Sequence, residues 1–128
     1  MKKVIVSTCQ RTEFVDITAQ VSQTVSAAGI KNGVVTVFVP HTTAGITINE
    51  NADPDVTADM SAALDRMIPW SAGYRHSEGN AAAHVKASLM GSSVRVIVKN
   101  ARLQLGTWQA IYFCEFDGPR SRTVWIEG

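Results

Sequence analysis

GVVTVFVPHTTAGITINENADPDV, residues 33–56, decides how the chain is built. Gly33 to Pro40 is almost continuously valine and phenylalanine, the composition of a strand buried on both faces rather than one. Pro40 closes that run. After Gly45, Ile46 and Ile48 alternate with Thr47 and Asn49, the period of a strand with one apolar face. Asp53 followed by Pro54 then supplies an N-cap and a first-turn proline. Val56, Met60, Ala63, Leu64, Met67 and Ile68 form a stripe at helical spacing that Pro69 ends.

Upstream, Lys3 to Ser7 and Glu13 to Ile17 are short β-rich runs. Thr18 to about Ala28 is a helical window that Thr18 can cap and Gly29 can end. Downstream, WSAGYRHSEG (70–79) reads as an irregular loop. NAAAHVKASLMG has the alanine richness of a short helix, with Asn80 able to cap it and Gly91 placed to stop it. Val94, Val96 and Val98 alternate in a further strand, and Trp108–Phe116 and Thr123–Glu127 read as two more. Strands separated by helices can also build a parallel sheet, but the helix-free C-terminal strands with short GT and DGP connections fit antiparallel pairing better. The expected class is α+β, with about three helices inserted among mostly antiparallel strands.

Residues 1–128 are expected to form a single domain, for globular domains commonly run to about 100–150 residues. At 45% hydrophobic and 18% charged, the chain has enough apolar material for a core without disulfides. Twelve basic residues against eleven acidic ones leave a net charge of +1, too small a field to suggest nucleic acid or an anionic membrane as partner. The apolar stretch after Lys2 and Lys3 is only Val4 to Val6, far short of the roughly 7–15 residues of a signal-peptide core, and no run reaches the length of a membrane helix. A cytoplasmic location is expected. Cys9 and Cys114 stand apart in no ligand-spaced cluster, and are expected to be free thiols, Cys114 as a small buried hydrophobe.

His41, His76 and His84 all fall at element ends or in loops. Three imidazoles with an open position are a usual catalytic zinc set, but this spacing matches no local signature such as HExxH. Isolated histidines also serve as hydrogen-bonded structural or surface groups, and the sequence leaves both readings open. If residues 41–49 formed one strand, His41 and Glu50 would lie roughly 30 Å apart on opposite faces. They converge only through a bend at Gly45 or across a subunit boundary. Asp53 is read as a cap. Glu50 has no such local duty and is the candidate for proton transfer or metal contact, against the alternative of an exposed carboxylate. Arg120 and Arg122 are two apart in DGPRSR, so in extended chain they share a face and can grip a phosphate or diphosphate, with Thr42 and Thr43 as neutral donors. A tight Asp-Gly-Pro turn carrying solvated arginines is ranked ahead of that. Trp108 is read as core or interface packing.

HTTAGITINENADPDV, EGNAAAHVKASLMGSS and LGTWQAIYFCEFDGPRSR together resemble the three hallmark blocks of the YjbQ family, often labelled secondary thiamine-phosphate synthase, over nearly the whole chain. The resemblance implies a β-sandwich of two sheets, a homotrimer, and a low synthase activity that joins a pyrimidine methyl diphosphate to a thiazole phosphate and releases pyrophosphate. Its polar signature falls on His41, Thr42, Thr43, Asn49, Glu50, Asp53, His76, Gly79, His84, Gly106, Thr107, Trp108, Gln109, Arg120 and Arg122. In that setting His41, His76 and His84 are expected to meet in a cleft between subunits around a divalent ion, zinc or magnesium, or an anion. Glu50 would shuttle protons and Thr42, Thr43, Arg120 and Arg122 would hold the phosphoryl group of a small metabolite. The competing expectations are a metal-dependent hydrolase of another small metabolite and a non-catalytic anion- or metal-binding trimer.

Overall fold

Eight strands pair antiparallel throughout and divide between two sheets. In the computed structural model, which describes residues 1–128, the larger sheet runs in the order β1 (Lys2–Ser7), β8 (Ser121–Glu127), β3 (Gly33–Phe38), β5 (Ser93–Lys99), β6 (Arg102–Leu103). The smaller runs β2 (Glu13–Asp16), β7 (Gln109–Glu115), β4 (Ala44–Glu50). Helices α1 (Thr18–Ala27), α2 (Pro54–Met67) and α3 (Ala81–Met90) complete an α+β sandwich, as expected. No helix is long and apolar enough to cross a membrane.

Two apolar clusters explain the layering. Val35, Val37, Val96, Val98, Val124 and Ile126 of the larger sheet meet Ile46, Ile111 and Phe113 of the smaller, and Val21 and Val25 of α1 join them. Leu64, Ala83 and Ala87 of α2 and α3 cover the other side of the smaller sheet, against Ala110, Tyr112, Cys114 and Phe116. Alternate residues of β7 therefore feed both clusters, and β7 is buried from Ala110 to Glu115. The strand expected to be buried on both faces, β3, is not. Val35 and Val37 point inward, whereas Val34 and Phe38 are exposed because no layer of this chain covers the outer face of the larger sheet.

Local signals mostly act as read. Asp53 accepts the Asp55 amide at 2.9 Å, with Pro54 in the first turn of α2. Gly29 follows the end of α1 at φ +71°, and Gly91 stops α3. Other expectations fail for identifiable reasons. Thr18 does not cap α1; its hydroxyl is taken by the Ile111 amide at 2.9 Å. Asn80 does not cap α3, because its amide turns to Asp117. Met67 stays 66% exposed although it belongs to the apolar stripe of α2, and Leu64 and Ile68 are the buried members. The two-residue turn Asn100–Ala101, both with positive φ, makes the β5–β6 hairpin, which an Asn-Ala pair does not announce.

Consecutive strands that change sheets position the site. β3 belongs to the larger sheet and β4 to the smaller, so residues 39–43 cross the seam of the sandwich. β7 and β8 make the same crossing through Phe116–Arg120. The antiparallel pairing expected of the C-terminal strands holds, but across two sheets: β7 pairs with β2 and β4, and β8 with β1 and β3. At Gly45 there is no bend: β4 is continuous. Glycine is required there because a Cβ would stand 2.8 Å from the Gly91 carbonyl oxygen, where the end of α3 lies against the strand.

Candidate functional site

The crossing segments and the start of α3 surround a cavity of about 420 Å³. It is lined by Pro40, His41, Thr42 and Thr43 from the first crossing, Asp117, Arg120 and Arg122 from the second, and His76, Glu78, Asn80 and His84 from the loop and α3. No lining residue is hydrophobic. Three histidines far apart in sequence, both arginines and both threonines are thus brought together. A second cavity of about 490 Å³ shares His41, Thr42 and His84 and continues along Ala44, Ala87, Ser88, Gly91 and Ser92.

Behind the cavity, Arg122 and Glu115 form an ion pair, 4% and 0% exposed in their side chains. Glu115 ends β7 in the smaller sheet and Arg122 is the second residue of β8 in the larger, so the pair ties the sheets at the seam. Arg122 Nε donates to Oε1 at 2.9 Å and Nη2 donates to Oε2 and to the Thr43 hydroxyl. The Thr8 hydroxyl and the amides of Phe116 and Asp117 donate to the same carboxylate. Burial by itself pushes the Glu115 carboxyl up, but the Arg122 hydrogen bonds, the Asp117 amide and Thr8 outweigh it and hold the group below its usual range. Arg122 is neither a solvated turn residue nor a free phosphate grip. Nη1 alone among its nitrogens has no protein acceptor, and Arg122 lines the cavity. Glu115 was not singled out from sequence; its signal was an acidic residue in the apolar run IYFCEF, seven residues before an arginine.

His41 lies against the backbone of β8. Its Nε2 is 3.1 Å from the Thr123 carbonyl oxygen and 3.0 Å from the Thr123 amide. Desolvation first, and the nearby Arg122 charge second, lower its pKa, so the ring is neutral at neutral pH. Its tautomer sets its chemistry. With the proton on Nε2, the ring donates to the carbonyl and turns a lone pair at Nδ1 outward; with the proton on Nδ1, it accepts the amide and offers a donor. His76 and His84 meet edge to face with ring centroids 5.2 Å apart. No group of three His, Cys, Asp or Glu side chains is gathered closely enough to hold a metal ion.

Arg120 is half exposed. It donates to the Asp117 carbonyl oxygen at 2.9 Å and to its carboxylate at 3.0 Å. Asn80 Nδ2 donates to the same carboxylate oxygen at 2.9 Å. Lys86, two residues beyond His84, is buried and pairs with Asp65 of α2, which fixes the helix that carries His84.

Glu50 is not part of this cavity. It sits at the far end of β4, opposite Gln109 and about 20 Å along the strand from Ala44. Asn49, Asp53 and Trp108 lie at that end as well. Trp108 is 61% exposed, so it is not core packing within the chain. Cys114 is buried and its thiol pKa is pushed up by desolvation, as expected of an inert apolar cysteine.

The class defined by these features is an antiparallel two-sheet α+β protein with an imidazole- and guanidinium-lined cavity at the seam. The model of the family described as UPF0047 protein YjbQ-like matches residues 2–128. UPF0047 protein YugU of Bacillus subtilis is 54% identical over 99% of this chain and 97% of its own. A UPF0047 protein of Methanocaldococcus jannaschii is 48% identical over 95% and 88% respectively. A crystal structure of an uncharacterized YjbQ/UPF0047 protein from Clostridium acetobutylicum superposes with a TM-score of 0.97 at 53% identity, covering 99% of this chain and 98% of that one. The chain belongs to the YjbQ-like UPF0047 family.

Proposed function

We propose that the seam cavity is the active site of a weak thiamine-phosphate synthase-type transferase. In that reaction the thiazole nitrogen forms a C–N bond at the pyrimidine methylene as the C–O bond to diphosphate breaks and the electron pair leaves with the diphosphate. No covalent protein nucleophile is needed; the leaving charge must be stabilised. Arg120, Nη1 of Arg122 and the hydroxyl of Thr42 would do so, while Thr43 holds Arg122. The convergence of His41, His76 and His84 with both arginines carries this reading. The adjoining second cavity supports a reaction with two substrates.

A divalent ion held by His41, His76 and His84 would supply further neutralisation of the leaving group. His41 offers Nδ1 when Nε2 donates to the Thr123 carbonyl, the usual arrangement of a ligating imidazole, and an imidazole set suits zinc better than magnesium. As they stand the three side chains are not close enough to share an ion, so holding one would require them to draw together. Glu50 enters the reaction only across a subunit boundary. The exposed Ile5, Phe38 and Ile97 on the uncovered face of the larger sheet support assembly into the homotrimer this needs.

Turnover measured as pyrophosphate release, with zinc content by elemental analysis, tests the reading. His41→Ala and His84→Ala, folded by circular dichroism, are expected to lose activity. Product released from a diphosphate ester without the thiazole phosphate would instead identify a hydrolase. Absence of turnover, together with no zinc binding, would leave a non-catalytic binding protein.

A further inference from the structure

We propose that the cavity selects an amphoteric ligand, one that carries a protonated amine as well as a phosphoryl group. The inference rests on the phosphoryl reading above and extends it to the rest of the ligand. The argument is charge matching. Arg122 is already neutralised by Glu115, and Arg120 by Asp117. Glu78 then stands in the cavity wall outside every ion pair of the fold, whose carboxylates are Glu127, Asp65, Asp117 and Glu115. Before the histidines are counted, Glu78 and Asp117 in the wall balance Arg120 and Arg122, and Glu115 lies buried behind them, so a purely anionic molecule meets no net positive charge.

Unfilled acceptors point the same way. Asn80 donates through Nδ2 to one Asp117 oxygen, and its own Oδ1 is buried without a partner. Exchanging the two amide atoms would set an oxygen against the carboxylate, so the acceptor orientation is fixed by Asp117. The second Asp117 oxygen, Oδ1, receives no protein donor either. Glu78 and Asp117 are therefore acceptors in want of donors, in the same cavity where Arg122 Nη1 and Thr42 are donors in want of acceptors. An ammonium group has three donors to give the first set, and phosphoryl oxygens serve the second.

Isothermal titration of the full chain with phosphoethanolamine and with ethyl phosphate, which matches it except for the amine, tests this. Phosphoethanolamine is expected to bind about tenfold tighter. Glu78→Gln, a change at an exposed side chain of the cavity wall, is expected to abolish most of that preference by weakening phosphoethanolamine, while ethyl phosphate binds at least as tightly because one negative charge has left the wall. Equal affinities, or a preference unchanged in Glu78→Gln, would overturn the amine subsite while leaving the phosphoryl reading in place. If neither compound binds, both readings fail together.

Discussion

The two ends of β4 carry equally polar sequence and have opposite fates. At its start, His41, Thr42 and Thr43 face Arg122, His84 and the 76–80 loop across a cavity. At its finish, Asn49 accepts the Glu50 amide, the Tyr112 hydroxyl donates to the Glu50 carbonyl, Gln109 accepts the Gly106 amide and Asp53 caps α2. Most polar groups at the second end are spent on turns and caps within a few residues, with Tyr112 the distant partner. At the first end they are held by partners distant in sequence, and several keep an unused hydrogen-bonding atom. Unused capacity, not polarity, separates a site from a well-formed loop.

This contrast can be broken by mutation. Arg122→Met strips the partner from a buried carboxylate, and is expected to destabilise the fold by about 3–5 kcal/mol in chemical denaturation. A loss below about 1 kcal/mol would mean the pair is not what ties the sheets at the seam. At the other end, Asp53→Ala removes one cap and should cost only about 1 kcal/mol. Glu50→Gln should change stability by less than about 0.5 kcal/mol; a larger loss would show that the carboxylate is engaged, as it would be at a subunit boundary.

Proton linkage sharpens the same comparison. The depressed Glu115 carboxyl contributes stability above its unfolded pKa, and that contribution is lost as pH falls through its folded value, in the acid range. The depressed His41 behaves oppositely in origin but alike in sign. Its folded pKa lies below the unfolded one, so the unfolded chain takes up the proton first and stability falls as pH drops below about 6.5. Melting temperature followed from about pH 8 to about pH 5 should therefore decline less in His41→Asn than in the native chain. Identical slopes would remove His41 as a source of that decline.

Much of this architecture was legible because it depends on short-range signals. Asp53–Pro54, Gly29 and Gly91 each act within one helical turn, and the alternation in Ile46–Ile48 and Val94–Val98 fixes which side faces the core. What escaped was decided between layers. β3 and β7 are both apolar runs, and only the position of a second sheet and two helices shows that β7 is the one covered twice. In the cavity, the residue types were visible at His41, His76, His84, Arg120 and Arg122. Glu115 was not, since its partner lies in the other sheet and its neighbours are core residues. Glu50 drew attention for having no local duty, yet the straight run of β4 carries it away.

Because Arg122 serves the cavity and the seam with different nitrogens of one guanidinium, the site has very unequal freedom to change. Altering ligand preference through Arg122 or Glu115 would unfasten the sandwich before it retuned recognition. Glu78 and Arg120 sit on exposed chain and can be exchanged with little structural penalty. A designer wishing to redirect this protein toward another small molecule should hold the former two constant and diversify the latter pair.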